Sequence, residues 1–67
     1  MKMLLVNNIL NINTDLTNYT VEIYTISGQL IKTDKNIKTF DFSNFNSGLY
    51  ILKLITNTGY KVFKIIK

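Results

Sequence analysis

Tyr19–Thr33, with the sequence YTVEIYTISGQLIKT, carries the clearest structural signal in the chain. Tyr19–Ile26 consists almost entirely of β-branched and aromatic residues, and its alternation predicts a half-buried strand. Gln29–Thr33 predicts a second, shorter strand. Ser27-Gly28 separates the two, and glycine readily adopts the positive φ that a tight turn requires. We therefore predict an antiparallel β-hairpin whose strands are separated by these two residues.

Alternating patterns continue on both sides of this hairpin. Leu49–Ile55 is apolar on both faces except at Lys53, which predicts a central strand. Ile37–Phe42 alternates as well, and we expect its phenylalanine face to point inward. Further strands are predicted at Ile9–Asn13 and Tyr60–Lys67. No segment keeps the apolar period of a helix, so we predict none.

Glycine and asparagine mark the turns between these strands. Asn57-Thr58-Gly59 predicts a three-residue loop that is closed by a G1 bulge at the glycine. We expect structural turns at Ser27, Gly28, Asn57 and Gly59. About five to seven short strands at this spacing predict an all-β fold, namely a small antiparallel β-sandwich. The length of 67 residues allows one such domain, which we expect to span residues 1–67.

The predicted core comes from one face of each strand. Tyr19, Val21 and Ile23 share a face, and Glu22 lies on the other. Leu52 should be a core residue of the central strand. A small β domain without tryptophan must fill its volume with its other aromatic residues, so core or core-plug positions are predicted for Phe40, Phe42, Phe45 and Phe63.

The composition leaves little material for catalysis. The chain has no cysteine and no histidine, which excludes disulfides, thiolate zinc sites and histidine general bases. Its only carboxylates are Asp15, Glu22, Asp34 and Asp41, which are at least seven residues apart. Calcium loops need oxygen ligands clustered at short intervals. We therefore expect no catalytic residue, no metal site and no cofactor.

Eight lysines against four carboxylates give the chain a formal charge of +4. The lysines are spread out, and no arginine is present for bidentate phosphate contacts, so a solvated strand face explains them better than nucleic-acid binding. We expect no nucleic-acid partner. No run of 18 apolar residues exists, so no membrane-spanning segment is predicted. The apolar run Met3–Val6 is shorter than a secretory signal requires, and we expect no signal peptide in this chain.

The chain contains four segments whose order and spacing are informative: Ile9–Ile12, Val21–Thr33, Phe42–Leu54 and Lys61–Lys67. Together they resemble the C-terminal sorting domains that the bacterial type IX secretion system recognises. The resemblance implies an immunoglobulin-like β-sandwich at the end of a larger exported protein, which the translocon reads in the periplasm. It implies a signal without chemistry of its own, and a protein that is secreted or displayed at the cell surface.

The resemblance also implies site residues and partners. The translocon would recognise a turn-strand motif at Gly48, Leu49 and Tyr50, together with a terminal segment formed by Lys64, Ile65, Ile66 and Lys67. The implied partners are the type IX machinery and its sortase-type protease, which usually removes the domain. A cargo domain is expected upstream and is absent from this chain. Members commonly carry a Pro-Asn-Pro type segment before the first strand, where this chain has Met1–Asn8 without proline.

A free-standing β-sandwich module for adhesion or carbohydrate binding is the alternative. Such a module would use exposed rings such as Tyr24 or Tyr60 as a platform for sugars. One exposed patch of Tyr24, Tyr50 and Tyr60 beside a concavity would favour it, whereas scattered or buried rings would favour the sorting signal. An open edge strand would likewise favour a domain that awaits a partner.

Overall fold

Seven β-strands and no helix make up the computed structural model, which describes residues 1–67. The strands are β1 (Lys2–Val6), β2 (Ile9–Asn13), β3 (Thr20–Thr25), β4 (Leu30–Lys35), β5 (Thr39–Asp41), β6 (Leu49–Thr56) and β7 (Gly59–Ile66). The all-β prediction is confirmed, and all the strands predicted from the sequence are present, with bounds that differ from the prediction by at most two residues. The chain contains no helix that could cross a membrane.

The strands form two antiparallel sheets. One has three strands in the order β1-β2-β5, and the other has four in the order β4-β3-β6-β7. The apolar faces of both sheets contribute to one cluster of buried side chains, as expected for a sandwich. In the four-stranded sheet, β6 lies between β3 and β7. The prediction that Leu49–Ile55 is a central strand is therefore confirmed.

The first strand of the fold, β1, is absent from the sequence-based prediction. It pairs with β2 in a hairpin in which Val6 is opposite Ile9. The turn between them is Asn7-Asn8, with φ values of 51° and 68°. Two-residue hairpin turns favour positive φ at both central positions, and asparagine tolerates this better than most residues. The polar Asn-Asn pair is thus a turn that permits a strand upstream of Ile9.

The connection between β3 and β4 is longer than the predicted Ser27-Gly28 gap. The Thr25 amide donates to the Gln29 carbonyl at 2.9 Å, and the Gly28 amide donates to the Thr25 carbonyl at 2.9 Å. Gly28 has a φ of 93°. Ile26 belongs to the loop and is 68% exposed. This is the geometry of a three-residue hairpin loop that ends in a left-handed glycine, so the prediction of a two-residue connection is wrong.

The β6–β7 connection, by contrast, is shorter than predicted. Thr56 pairs with Gly59, and the register then continues without a shift, so the loop is Asn57-Thr58 and contains no G1 bulge. The Thr56 hydroxyl lies 3.1 Å from the Thr58 hydroxyl, accepts from the Thr58 amide at 3.3 Å and donates to the Gly59 carbonyl at 3.2 Å. These bonds close the turn between Thr56 and Gly59 instead of between Thr56 and Tyr60, so the loop is one residue shorter than the predicted three.

The core follows the predicted faces. The buried side chains are Leu10, Ile12, Tyr19, Val21, Ile23, Phe42, Tyr50, Leu52, Leu54 and Ile65. Phe40, Phe45 and Phe63 are partly buried and pack against this cluster, which confirms the inward phenylalanine face. Tyr19 also fastens the segment after β4, because its hydroxyl donates to the Ile37 carbonyl at 2.7 Å and its amide donates to Asn36 Oδ1 at 2.9 Å.

Candidate functional site

The register of β6 and β7 brings together the two segments that the resemblance singled out. Gly48 and Lys67 exchange two backbone hydrogen bonds, from the Gly48 amide at 3.1 Å and from the Lys67 amide at 2.9 Å. Beyond this pair, Leu49 lies opposite Ile66, Tyr50 opposite Ile65 and Ile51 opposite Lys64. We call this paired unit, Gly48–Ile51 with Lys64–Lys67, the closing ladder. Residues distant in the sequence therefore form one continuous unit.

The closing ladder has an inner and an outer face. Tyr50 and Ile65 point inward and are buried in the core. On the outer face, Leu49 is half-buried, Lys64 is exposed and Ile66 is 76% exposed. A partner of the folded domain can contact the outer residues directly. Tyr50 and Ile65 can influence such contact only by supporting the strands.

The loop before β6 is held to the closing ladder from two directions. The Tyr50 hydroxyl donates to the Asn46 carbonyl at 2.6 Å. Lys67 Nζ donates to the Phe45 carbonyl. Phe45 packs its ring near Phe42 and Tyr50, with centroid distances of 6.2 and 6.4 Å. Lys67 is thus fixed through both its backbone and its ammonium group, which orders the end of the ladder before any partner arrives.

Gly48 adopts a backbone conformation that side chains disfavour. Its φ is 152°, and a Cβ built there would meet no atom within 4 Å. Space is therefore available, and only backbone strain opposes a substitution. Strand β6 begins at the next residue, so this glycine sets the direction in which the chain enters the ladder.

Electrostatic contacts support the loop that leads from β5 to the closing ladder. Hydrogen bonds from the Ser43 hydroxyl and the Ser43 amide to Asp41 Oδ1 lower the pKa of Asp41, and the positive charge of Lys67 lowers it further. The carboxylate stays ionised and caps the turn that leads towards Phe45. The position of Asp41 beside a predicted turn already indicates local backbone bonding for its carboxylate, and the structure adds Ser43 as the residue that donates both bonds.

The lysines along β7 lack acidic partners. The chain has one salt bridge, between Lys32 and Asp34 at 3.5 Å, and it lies on β4. Lys53 places Nζ 4.4 Å from the centre of the Tyr60 ring, a cation–π geometry. No group of histidine, cysteine or carboxylate side chains is clustered well enough to hold a metal ion.

The tyrosines do not meet the condition set for a sugar-binding platform. Tyr50 is buried, whereas Tyr60 is 64% exposed. The Tyr24 hydroxyl donates to Glu22 Oε1 at 2.7 Å, and this hydrogen bond to a carboxylate raises the pKa of Tyr24. A depression of about 410 Å³ beside Tyr60 includes neither Tyr24 nor Tyr50 in its lining. The rings do not form one patch, and nothing supports the adhesion module.

The fold and the site together define a small β-sandwich domain with an ordered, two-segment surface at one end of its larger sheet. Residues 6–67 match the family described as the secretion system C-terminal sorting domain, and the chain belongs to this family. Its members are C-terminal sorting signals for type IX secretion, and such a tail directs a protein to secretion or to the cell surface. The family is not known as catalytic. No curated protein and no solved structure matched the chain.

Proposed function

We propose that this sorting domain acts by presenting the outer face of the closing ladder to the type IX translocon. Leu49, Lys64 and Ile66 would make the contacts. Gly48, Tyr50, Ile65 and Lys67 would hold those residues in position from the backbone, the core and the loop before β6. The observation that carries this proposal is the double hydrogen bond between Gly48 and Lys67, which makes one surface from the two segments.

The order of the closing ladder supports a role in recognition. Lys67 is held by the Gly48 backbone and by the Phe45 carbonyl, so its position is fixed in the free domain. A partner that binds an ordered surface avoids most of the entropy cost of ordering it. The exposed Ile66 supplies apolar area, and Lys64 supplies charge next to it.

The domain would act entirely through such binding, with no catalysis of its own. Its carboxylates Asp15, Glu22, Asp34 and Asp41 are spread over different parts of the chain, and the lowered pKa of Asp41 is explained by a local turn. We extend the proposal to a sortase-type protease of the same system, which would cleave upstream of the sandwich and separate it from its cargo.

An export assay tests the proposal. The 67 residues are fused behind a reporter that carries a signal peptide and are expressed in a bacterium with a working type IX system. Removal of Lys64–Lys67 should abolish export. Ile66→Asn should reduce it strongly, whereas Ile26→Asn should not, because Ile66 and Ile26 are similarly exposed, at 76% and 68%, but only Ile66 lies in the ladder.

The two isoleucine variants form a matched pair, since each removes one exposed apolar side chain of the same kind. Equal export of both, with both domains folded by circular dichroism, would show that the outer face of the ladder is not read. Loss of export in Ile26→Asn alone would place recognition at the β3–β4 loop, which lies at the same end of the sheet but outside the ladder. Either result would remove the support for the proposal.

A further inference from the structure

Strand β7 is an edge of the four-stranded sheet and leaves a row of backbone groups unpaired. In an antiparallel pair, residues alternate between those bonded to the neighbour and those that point away. Gly48 and Lys67 are a bonded pair, and the register is unbroken from there to Gly59. The N–H and C=O groups of Tyr60, Val62, Lys64 and Ile66 therefore point towards the open side.

The other edges of the two sheets are shorter or interrupted. The pairing of β4 with β3 shifts register between Ile23 and Tyr24, and β4 carries the Lys32–Asp34 ion pair. Strands β1 and β5 have five and three residues, whereas β7 has eight. Bulges, charges and short length are the usual ways in which proteins protect an edge. Only β7 offers a long, regular one.

The side chains of this edge have a defined chemistry. Tyr60, Val62 and Ile66 lie on the outer face and are 64%, 54% and 76% exposed. Lys64 is in the same row, and Lys61 is on the other face of the strand. Neither β6 nor β7 contains a carboxylate. The edge is therefore apolar and positively charged.

We infer that β7 accepts an extended segment of a partner protein as a fifth strand. Its apolar side chains would lie against Tyr60, Val62 and Ile66, and its carboxylates would lie against Lys61 and Lys64. Backbone hydrogen bonds would supply affinity, and the alternating side chains would supply specificity. The inference deepens the proposed function and rests on it for its biological setting, because the edge adjoins the closing ladder.

A second copy of this chain fits the same edge poorly. It would add a second Lys61, Lys64 and Lys67 and no carboxylate, and like charges on adjacent strands are destabilising. An acidic strand has the opposite effect, since each lysine gains a partner. Charge therefore selects an acidic segment of another protein rather than self-pairing.

The test uses the 67-residue chain, labelled with ¹⁵N, and a capped peptide of sequence Val-Thr-Glu-Thr-Val-Glu-Val. Placed antiparallel to β7 with its first residue opposite Ile66, this peptide puts glutamates opposite Lys64 and Lys61. We expect saturable shifts of the amide signals of Tyr60, Val62, Lys64 and Ile66, with slower hydrogen exchange at all four. A peptide with lysine in place of glutamate should not bind.

Two variants separate strand addition from general charge attraction. Lys61→Glu with Lys64→Glu should weaken binding about tenfold and should restore it for the lysine peptide. Lys2→Glu with Lys35→Glu changes the net charge equally on other edges and should leave binding within about twofold. An equal loss in both double variants would mean long-range attraction only, and would overturn the inference.

A third variant tests the backbone contribution. Val62→Pro removes an amide that points away from β6, and edge positions tolerate proline. It should abolish peptide binding while the core amide signals persist. If this folded variant binds normally, no strand has been added at β7. Because these readouts require no secretion, they can fail while the export assay succeeds, and the reverse outcome is equally distinguishable.

Discussion

Leu52→Ala is expected to remove most of the stability of this domain. Leu52 is fully buried in the centre of β6, opposite Ile23 of β3 and Phe63 of β7. Truncation of a buried leucine to alanine costs about 2–5 kcal/mol, through lost transfer energy and the cavity left behind. A chain of 67 residues has a total unfolding free energy of roughly 3–10 kcal/mol. The single substitution therefore removes a large fraction of the total unfolding free energy.

The adjacent residue Ile51 provides the control. It lies on the same strand but on the outer face and is only half-buried. Ile51→Ala should cost no more than about 1.5 kcal/mol, from partial loss of burial and of β-propensity. The two variants lie one position apart and remove similar side-chain volumes. The difference between their unfolding free energies therefore isolates the direction in which each side chain points.

Urea unfolding followed by circular dichroism measures both variants. With a slope of about 1 kcal/mol per molar urea for a small protein, Leu52→Ala should lower the midpoint by at least about 2 M. If the starting stability is at the low end of the range, the variant should be unfolded without urea. Equal costs for the two variants, or a larger cost for Ile51→Ala, would refute the assignment of β6 faces on which the site description depends.

Three further outcomes are expected. Gly48→Ala should lose about 1–3 kcal/mol in urea unfolding, because an alanine at φ 152° is strained although no atom obstructs its Cβ. Tyr19→Phe should lose about 1 kcal/mol in the same assay, because it deletes the hydrogen bond to Ile37. Asp41 has a lowered pKa in the folded state, so its contribution is present above its ordinary pKa and is lost as pH falls through the lower folded value. Thermal melts at decreasing pH should show a steeper loss for the native chain than for Asp41→Asn, and parallel losses would contradict this role.

The sequence was sufficient for those features that depend on local alternation. β3 and β6 have period-two patterns with large apolar side chains, so their inward faces, with Val21, Ile23 and Leu52, follow from the pleat alone. In Ile37–Phe42, Ile37 favours one face and Phe40 with Phe42 the other; the phenylalanine face was predicted to point inward, and Phe42 is fully buried. For these residues, the alternation of their neighbours along the chain is enough to predict which face of the strand is exposed to solvent.

Loop lengths were not predictable in the same way, because glycine alone does not fix them. Gly28 ends a three-residue loop, and Gly59 follows a two-residue one, the reverse of the expectation for each. The difference matters, since a one-residue slip in β7 exchanges its two faces. A three-residue loop would have paired Thr56 with Tyr60 and turned Lys64 towards the core. The hydrogen bonds of the Thr56 side chain favour the two-residue loop, and the composition of the strands does not predict these bonds.

Two local hairpins, β3–β4 and β6–β7, become one sheet only through the pairing of β3 with β6. An isolated two-stranded hairpin is at best marginally stable in water. The closing ladder belongs to the β6–β7 hairpin. It is therefore stably formed only when β3, which is distant in the sequence, has paired with β6. A receptor that reads this ladder would therefore accept the folded domain and reject incomplete chains, and quality control would be part of recognition itself.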